Sequence, residues 1–259
     1  MKKVILSSLF LLASCSEKAH EPAHEVANEA AKPAHEAAHW SYDGEAGPQN
    51  WAKLAPENAP CSGKNQSPIN LAGFTEADLP PIEFNYGSGI GKDVENNGHT
   101  IQVNYADGNA IKVDGIQFNL KQFHFHAPSE NHINGKAFPM EAHLVHKDNT
   151  GDLAVVALMF EEGEANPELE KVWAEMPATA HTLDALDSKV DASGLLPWSR
   201  DYYRFNGSLT TPPCTEGVRW IVMKNPVTAS KEQIEKFAHV MHHPNNRPVQ
   251  PTNARTVLQ

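Results

Sequence analysis

Short stretches in which apolar positions alternate with polar ones, or run together for a few residues, follow one another through the middle of this chain. Thr100–Tyr105, Ala110–Val113, Phe118–His126, Ala142–Val145, Leu153–Phe160 and Arg219–Met223 all have this character. Such runs predict strands, because side chains of an extended chain alternate between two faces. Asp107-Gly108 and Asp114-Gly115 fall between the early runs as turn pairs, glycine accepting the positive φ of tight hairpins. Helical signals are fewer. Asn166-Pro167 supplies an N-cap and a first-turn proline for a helix running to about Met176. Ser230-Lys231-Glu232-Gln233 is a capping box for a second helix ending near Met241. Pro80-Pro81 and Pro212-Pro213 mark irregular surface loops. The pattern predicts a strand-dominated α+β protein with peripheral helices.

Two of these strands carry the most informative polar positions. In Gln122-Phe123-His124-Phe125-His126 the two histidines share a face with Gln122; in Glu141-Ala142-His143 the glutamate shares the face of the histidine. A lone His-x-His is more often a surface or hydrogen-bonded core pair than a metal site. A third histidine on a second strand changes that balance, because pairing the strands lets three imidazoles converge. Three nitrogens with a fourth position open is the plan of a catalytic zinc site, whereas structural sites close all four positions. Gln122 and Glu141 stand where the outer partners of such ligands stand.

Composition narrows the class. The chain has 259 residues and a formal net charge of −11, and an acidic balance of this kind argues against a nucleic-acid partner. No run of apolar residues is long enough to span a membrane. The N-terminus predicts export: Met1-Lys2-Lys3 is a charged region, Val4 to Leu12 an apolar core, and residues 1–14 together a signal peptide. Leu12-Ala13-Ser14-Cys15 resembles the bacterial lipobox, in which the cysteine is lipidated and becomes the first mature residue, leaving a protein held on the periplasmic or cell-surface side of a membrane by its acyl chains. Residues 15–38 repeat an Ala-His-Glu unit, lack large apolar side chains and read as a flexible tether. Its histidines (His20, His24, His35) are expected to be solvated rather than metal-bound, and His39 adjoins Trp40 at the start of the folded part. About 220 residues then remain, enough for a single domain with a sizeable core.

That domain, residues 39–259, resembles the alpha-class carbonic anhydrases. The resemblance rests on Trp40-Ser41-Tyr42-Asp43-Gly44, Gly47-Pro48-Gln49-Asn50-Trp51, Gln66-Ser67-Pro68-Ile69-Asn70, Asn96-Asn97-Gly98-His99, the two histidine segments above, Ser129-Glu130, Gly207-Ser208-Leu209-Thr210-Thr211-Pro212-Pro213 and Asn245-Asn246-Arg247-Pro248-Val249-Gln250-Pro251. It implies a large, mostly antiparallel twisted central sheet with helices around it. It also implies zinc-dependent, reversible hydration of carbon dioxide to bicarbonate and a proton, by attack of zinc hydroxide. By resemblance His124, His126 and His143 hold Zn2+. Gln122 orients His124, Glu141 orients His143, and a backbone carbonyl near Asn245 holds His126. Thr210 passes its proton toward Glu130 and aims the nucleophile, and its backbone N–H contacts the anion. Val145, Val155, Leu209, Thr211, Val218 and Trp220 line the substrate pocket, with core packing a fair alternative for Trp220. His99 is the proton relay, since histidine titrates in the right range, and Tyr42, Asn97 and Gln102 order its water. Phe205 departs from the family, which often has tyrosine there. Cys61 and Cys214, the cysteines left once Cys15 is lipidated, are a disulfide pair in bacterial members; free thiols are the alternative. A homodimer is allowed by the resemblance, although no segment marks its interface.

Three other readings compete. His124-x-His126-x3-Glu130 fits the start of a cupin metal motif, in which Glu130 would be a ligand, but the glycine and proline pattern before the last histidine is missing. Non-catalytic relatives of the anhydrases lack zinc ligands that are all present here. A non-catalytic zinc-binding lipoprotein would use the tether histidines.

Overall fold

The computed structural model describes residues 39–87 and 90–259; the expected signal peptide, Cys15 and the tether lie outside the described residues. The strands are β1 (Asn70–Leu71), β2 (Glu83–Asn85), β3 (Gly91–Asn96), β4 (Ile101–Tyr105), β5 (Ala110–Val113), β6 (Ile116–His126), β7 (His132–Ile133), β8 (Met140–Lys147), β9 (Leu153–Glu162), β10 (Thr182–Ala185), β11 (Tyr202–Ser208), β12 (Glu216–Met223) and β13 (Val227–Ala229). The helices are α1 (Trp51–Leu54), α2 (Pro167–Ala174) and α3 (Lys231–Met241). Among the described residues, eleven strands form one sheet whose main path runs β10-β3-β4-β6-β8-β9-β12-β11, with β2, β5 and β13 attached at its sides. Its pairs are antiparallel except β9 with β12 and with β13. The fold is the strand-dominated α+β architecture expected.

The sheet divides the interior in two. On one face Phe123, Phe125, Leu144, Val156 and Leu158 pack against Leu169, Val172 and Trp173 of α2 and Phe237 and Met241 of α3. On the other, Val155, Ala157, Met159, Trp220 and Val222 form a smaller cluster with Ile69, Leu71 and Phe138. Strand β9 is covered on both sides, which is why Ala154–Phe160 is an unbroken apolar run. Truncating a buried phenylalanine costs about 3–5 kcal/mol, so the helix-covered face holds the central strands firmly in place.

Strand β6 carries a bulge. Leu120 lies opposite His146 and Gln122 opposite Val145, so Lys121 is the extra residue. Before it, Phe118 and Leu120 point into the helix-covered core; after it, Phe123 and Phe125 do. The bulge therefore turns Gln122, His124 and His126 to the opposite face.

Both predicted helices form with their predicted caps. The Asn166 side chain accepts from the amides of Glu168 and Leu169, and Ser230 and Gln233 close a reciprocal capping box. Helix α2 stops at Ala174, two residues short of the expected end, ahead of Pro177. Several elements were not foreseen. In β3 the charged Lys92, Asp93 and Glu95 surround Val94; β10 is mostly exposed; and α1 is a single turn.

Cys61, in the 3-10 turn Pro56–Ser62, is bonded to Cys214, closing a separation of 153 residues. Both lie in a small cluster with Trp51. Reduction should lower stability by up to about 5 kcal/mol if the bond acts by restricting the unfolded chain. Calorimetry with and without reductant reads this as a fall in Tm; an unchanged Tm with both thiols alkylated would refute it.

Candidate metal centre

The register of two strands assembles the site. His124 lies directly opposite His143, and His126 opposite Glu141. Residues opposite one another share a face, so all three imidazoles emerge on the side away from the helices. Their available ligand atoms lie within 4.8 Å of one another, and among the described residues no other group of histidine, cysteine or carboxylate side chains converges in this way.

Each ring is held by its other nitrogen. His124 Nδ1 lies 2.8 Å from Gln122 Oε1, His126 Nδ1 2.7 Å from the Asn245 carbonyl, and His143 Nε2 2.9 Å from Glu141 Oε1. A carbonyl or carboxylate can only accept, so these nitrogens carry the protons. The lone pairs are left on His124 Nε2, His126 Nε2 and His143 Nδ1. His126 Nε2 is buried without a hydrogen-bond partner, a loss of about 1–3 kcal/mol unless something else satisfies it. Burial holds the proton affinity of all three rings below the ordinary histidine value. They are therefore neutral at physiological pH, the form that binds metal. Three neutral imidazoles with fixed tautomers fit zinc.

Glu141 is more deeply embedded than its place on the strand implied. Its Oε2 accepts from the amides of Glu130 and Asn131 at 2.7 and 2.8 Å, and its Oε1 from the Asn131 side chain at 2.8 Å, besides the bond to His143. Asn131 had no sequence signal of its own.

Glu130 is fully buried. Its Oε1 accepts from the Arg247 amide at 2.8 Å; its Oε2 lies 3.5 Å from His126 Nε2 and 3.9 Å from His143 Nδ1. Burial pushes this carboxyl up to about 8, against the lowering effects of the Arg247 amide and the Thr210 side chain. Thr210 thus approaches the carboxylate, without completing a hydrogen bond to Oε2. A cation bound by the adjacent histidines would lower the same carboxyl.

Thr210 sits between β11 and β12 in a loop braced from several sides. Ser208 and Ser67 exchange bonds, Ser67 N to Ser208 Oγ at 2.9 Å and Ser208 N to Ser67 Oγ at 3.1 Å. Gly207 permits this approach, since a Cβ there would lie 2.1 Å from Ser67 Oγ. The disulfide fixes the far end at Cys214.

Beside the histidines the sheet is apolar. Val145 is opposite Val155, and Val155 opposite Trp220. Val155 and Val218 are buried, and Val145, Leu209 and Thr211 are half-buried. Trp220 is core: it is 1 % exposed, stacks on Phe205, meets the His143 ring edge-on at 4.9 Å and donates from Nε1 to the Ser208 carbonyl.

His99, the expected proton relay, sits in an aromatic cluster at the start of the folded domain. His99 stacks on Trp40 with ring centres 3.7 Å apart, with His39 at 5.4 Å and Tyr42 at 6.4 Å. His39 therefore belongs to the folded domain. Burial first, then the neighbouring His39, His181 and His243, push His99 down to about 4. Gln102 lies opposite His124 and donates to Asn104. Asn97 Oδ1 accepts from the amides of His99 and Thr100, so it shapes the turn that carries His99.

Glu141→Gln places an amide NH2 against N–H donors on one side or the other. Zinc affinity is expected to fall by about 10- to 100-fold, measured by competition with a chromophoric chelator; an affinity equal to that of the parent would remove Glu141 from the ligand's support.

A sequence model of the family described as eukaryotic-type carbonic anhydrase matches residues 46–259. A carbonic anhydrase of Pectobacterium carotovorum is 52% identical over 221 residues, covering 85% of this chain and 90% of that protein. Two solved structures share the fold. The alpha-carbonic anhydrase from Thermovibrio ammonificans, in complex with the inhibitor sulfanilamide, has a TM-score of 0.84 at 53% identity over 86% of this chain and 99% of its own. That of Photobacterium profundum has a TM-score of 0.81 at 49% identity over 85% and 100%. The matched span contains the three histidines together with Glu130, Glu141 and Thr210, and the chain belongs to the eukaryotic-type carbonic anhydrase family.

Proposed function

We propose that the protein catalyses the reversible hydration of carbon dioxide to bicarbonate and a proton. The observation that carries this reading is the trio of convergent, neutral imidazole nitrogens beside an apolar wall. Zinc held there would lower the pKa of a bound water to about 7, a value that carbonic anhydrases themselves define, and so would supply the hydroxide nucleophile at neutral pH. His124, His126 and His143 would hold the metal, and Gln122, Glu141 and the Asn245 carbonyl keep their lone pairs aimed inward. Thr210 accepts a hydrogen bond from the nucleophile and directs its own proton toward Glu130, which aims the attacking lone pair. The Thr210 amide meets the oxygen of the bicarbonate formed. Val145, Val155, Leu209, Thr211 and Val218 give an uncharged substrate an apolar surface, and Trp220 supports it from the core. Proton transfer to buffer passes through His99. Burial and the neighbouring His39, His181 and His243 hold that ring neutral at pH 7, ready to accept a proton. Tyr42, Asn97 and Gln102 border the path.

Stopped-flow hydration with and without a chelator tests the activity. Thr210→Ala should keep zinc and lose about 100-fold in kcat/KM. His99→Ala should lower kcat in dilute buffer, recover with added imidazole and leave kcat/KM unchanged. Full hydration by metal-free protein, or no effect of sulfanilamide at high concentration, would contradict the assignment.

The disulfide and the sequence before Trp40 support export to an oxidising compartment, with Cys15 lipidated and residues 16–38 as the tether. Acyl chains, rather than the acidic domain, then supply the membrane affinity. The full chain made in a bacterium should partition with membranes, and Cys15→Ala should release it. A soluble mature chain beginning downstream of Cys15 would rule out the anchor alone.

A further inference from the structure

Arg247 is a buried cation whose charge acts on Glu130 without a direct ion pair. It is 2 % exposed, and no ion pair among the described residues includes its side chain. Its Nη1 donates to Gln66 Oε1 and to the Ser67 carbonyl, both at 2.8 Å, and its Nη2 to the Cys61 carbonyl at 3.0 Å. Nε has no partner, and the guanidinium lies 5.4 Å from the centre of the Trp51 ring. A charge placed among neutral acceptors is expensive to bury. A methionine would fill the same space without that penalty, so packing alone does not account for arginine here.

The connections of this side chain converge on the reaction centre. The main-chain amide of Arg247 donates to Glu130 Oε1 at 2.8 Å. Gln66, held by the guanidinium, donates to the Cys214 carbonyl at 3.1 Å and to Glu216 at 3.0 Å. Ser67, whose carbonyl the guanidinium also holds, exchanges hydrogen bonds with Ser208 at the start of the Thr210 loop. One planar group thus spans the segment that fixes Glu130, the Cys61 side of the disulfide, and two residues that brace the Thr210 loop. The ammonium of lysine, a single point of donation, cannot reach the same three acceptors in one plane.

We propose that the Arg247 guanidinium is a positioning residue for the hydration reaction. It acts through Glu130, by keeping the residue 247 amide on the carboxylate while holding the Thr210 loop in register with it. This rests on the functional reading above. The ordinary alternative is a plug that merely stabilises the disulfide-linked loops.

The full zinc-loaded chain tests it in two arms. In the first, Arg247→Met is combined with Glu130→Gln in a double-mutant cycle. Arg247→Met should retain zinc and lose about tenfold or more in kcat/KM, Arg247→Lys should recover part of the loss, and in the Glu130→Gln background the same change should cost less than about twofold. In the second, hydrogen exchange of the residue 247 amide should quicken about tenfold or more in Arg247→Met while exchange at Ala127 stays as in the parent. Equal rate losses in both backgrounds, or unchanged exchange at residue 247, overturns the proposal. If Arg247→Met does not fold, Arg247→Lys takes its place in both arms. If the parent chain hydrates no carbon dioxide, the functional reading fails and the exchange arm alone decides whether Arg247 holds Glu130.

Discussion

The register between β6 and β8 is the constraint on which the site depends. With His124 opposite His143, three imidazoles meet; a slip of one residue would send His124 and His126 into the helix-covered core and bring Phe123 and Phe125 out in their place. Nothing in the histidines enforces that register. It is fixed by Phe123, Phe125 and Leu144, which must stay against α2 and α3, and by β9, which is covered on both faces. The apolar side of the sheet thus determines the geometry of its polar side. The Lys121 bulge completes the arrangement, because without it the inward positions of Phe118 and Leu120 would continue as Gln122, His124 and His126.

A second requirement is polar satisfaction. His126 and His143 are buried and His124 half-buried, and burial lowers the proton affinity of each ring, so each is neutral and each second nitrogen must donate. The acceptors have unequal character. Gln122 is a neutral amide, Asn245 offers its main-chain carbonyl, and Glu141 is a carboxylate that already takes three other hydrogen bonds. The same polar satisfaction extends outward, the Glu130 amide donating to Glu141, the Arg247 amide to Glu130, and the Arg247 guanidinium to the carbonyl of the disulfide-bonded Cys61.

What could be read in the sequence follows from this. The period-two runs mark β4, β5, β6, β8, β9 and β12, and the capping residues mark α2 and α3, because these signals are local. The face of Gln122, His124 and His126 follows from spacing, and the change of parity across Lys121 is written in the phenylalanine and leucine positions once the core face is known. Strands β3 and β10 escaped, since charged neighbours hide Val94 in one and exposure removes the pattern from the other. Glu130, Thr210 and His99 came from family resemblance rather than from spacing. Asn131 and Arg247 could not be found locally: Arg247 Nη1 meets Gln66 from 181 residues away, a contact that exists only in the folded chain. The burial of His99 and its nearness to His39, His181 and His243, which weaken it as a base, are likewise properties of packing.

The central claim is that the sheet presents three imidazole nitrogens to one metal ion and leaves a position open for an exogenous ligand. X-ray absorption at the zinc edge of the loaded protein measures this directly. The account predicts three histidine nitrogens and one further light atom at about 2.0–2.1 Å, with the fourth scatterer exchanged when sulfanilamide is added. A shell closed by four protein ligands, including a Glu130 carboxylate that sulfanilamide leaves in place, would contradict it.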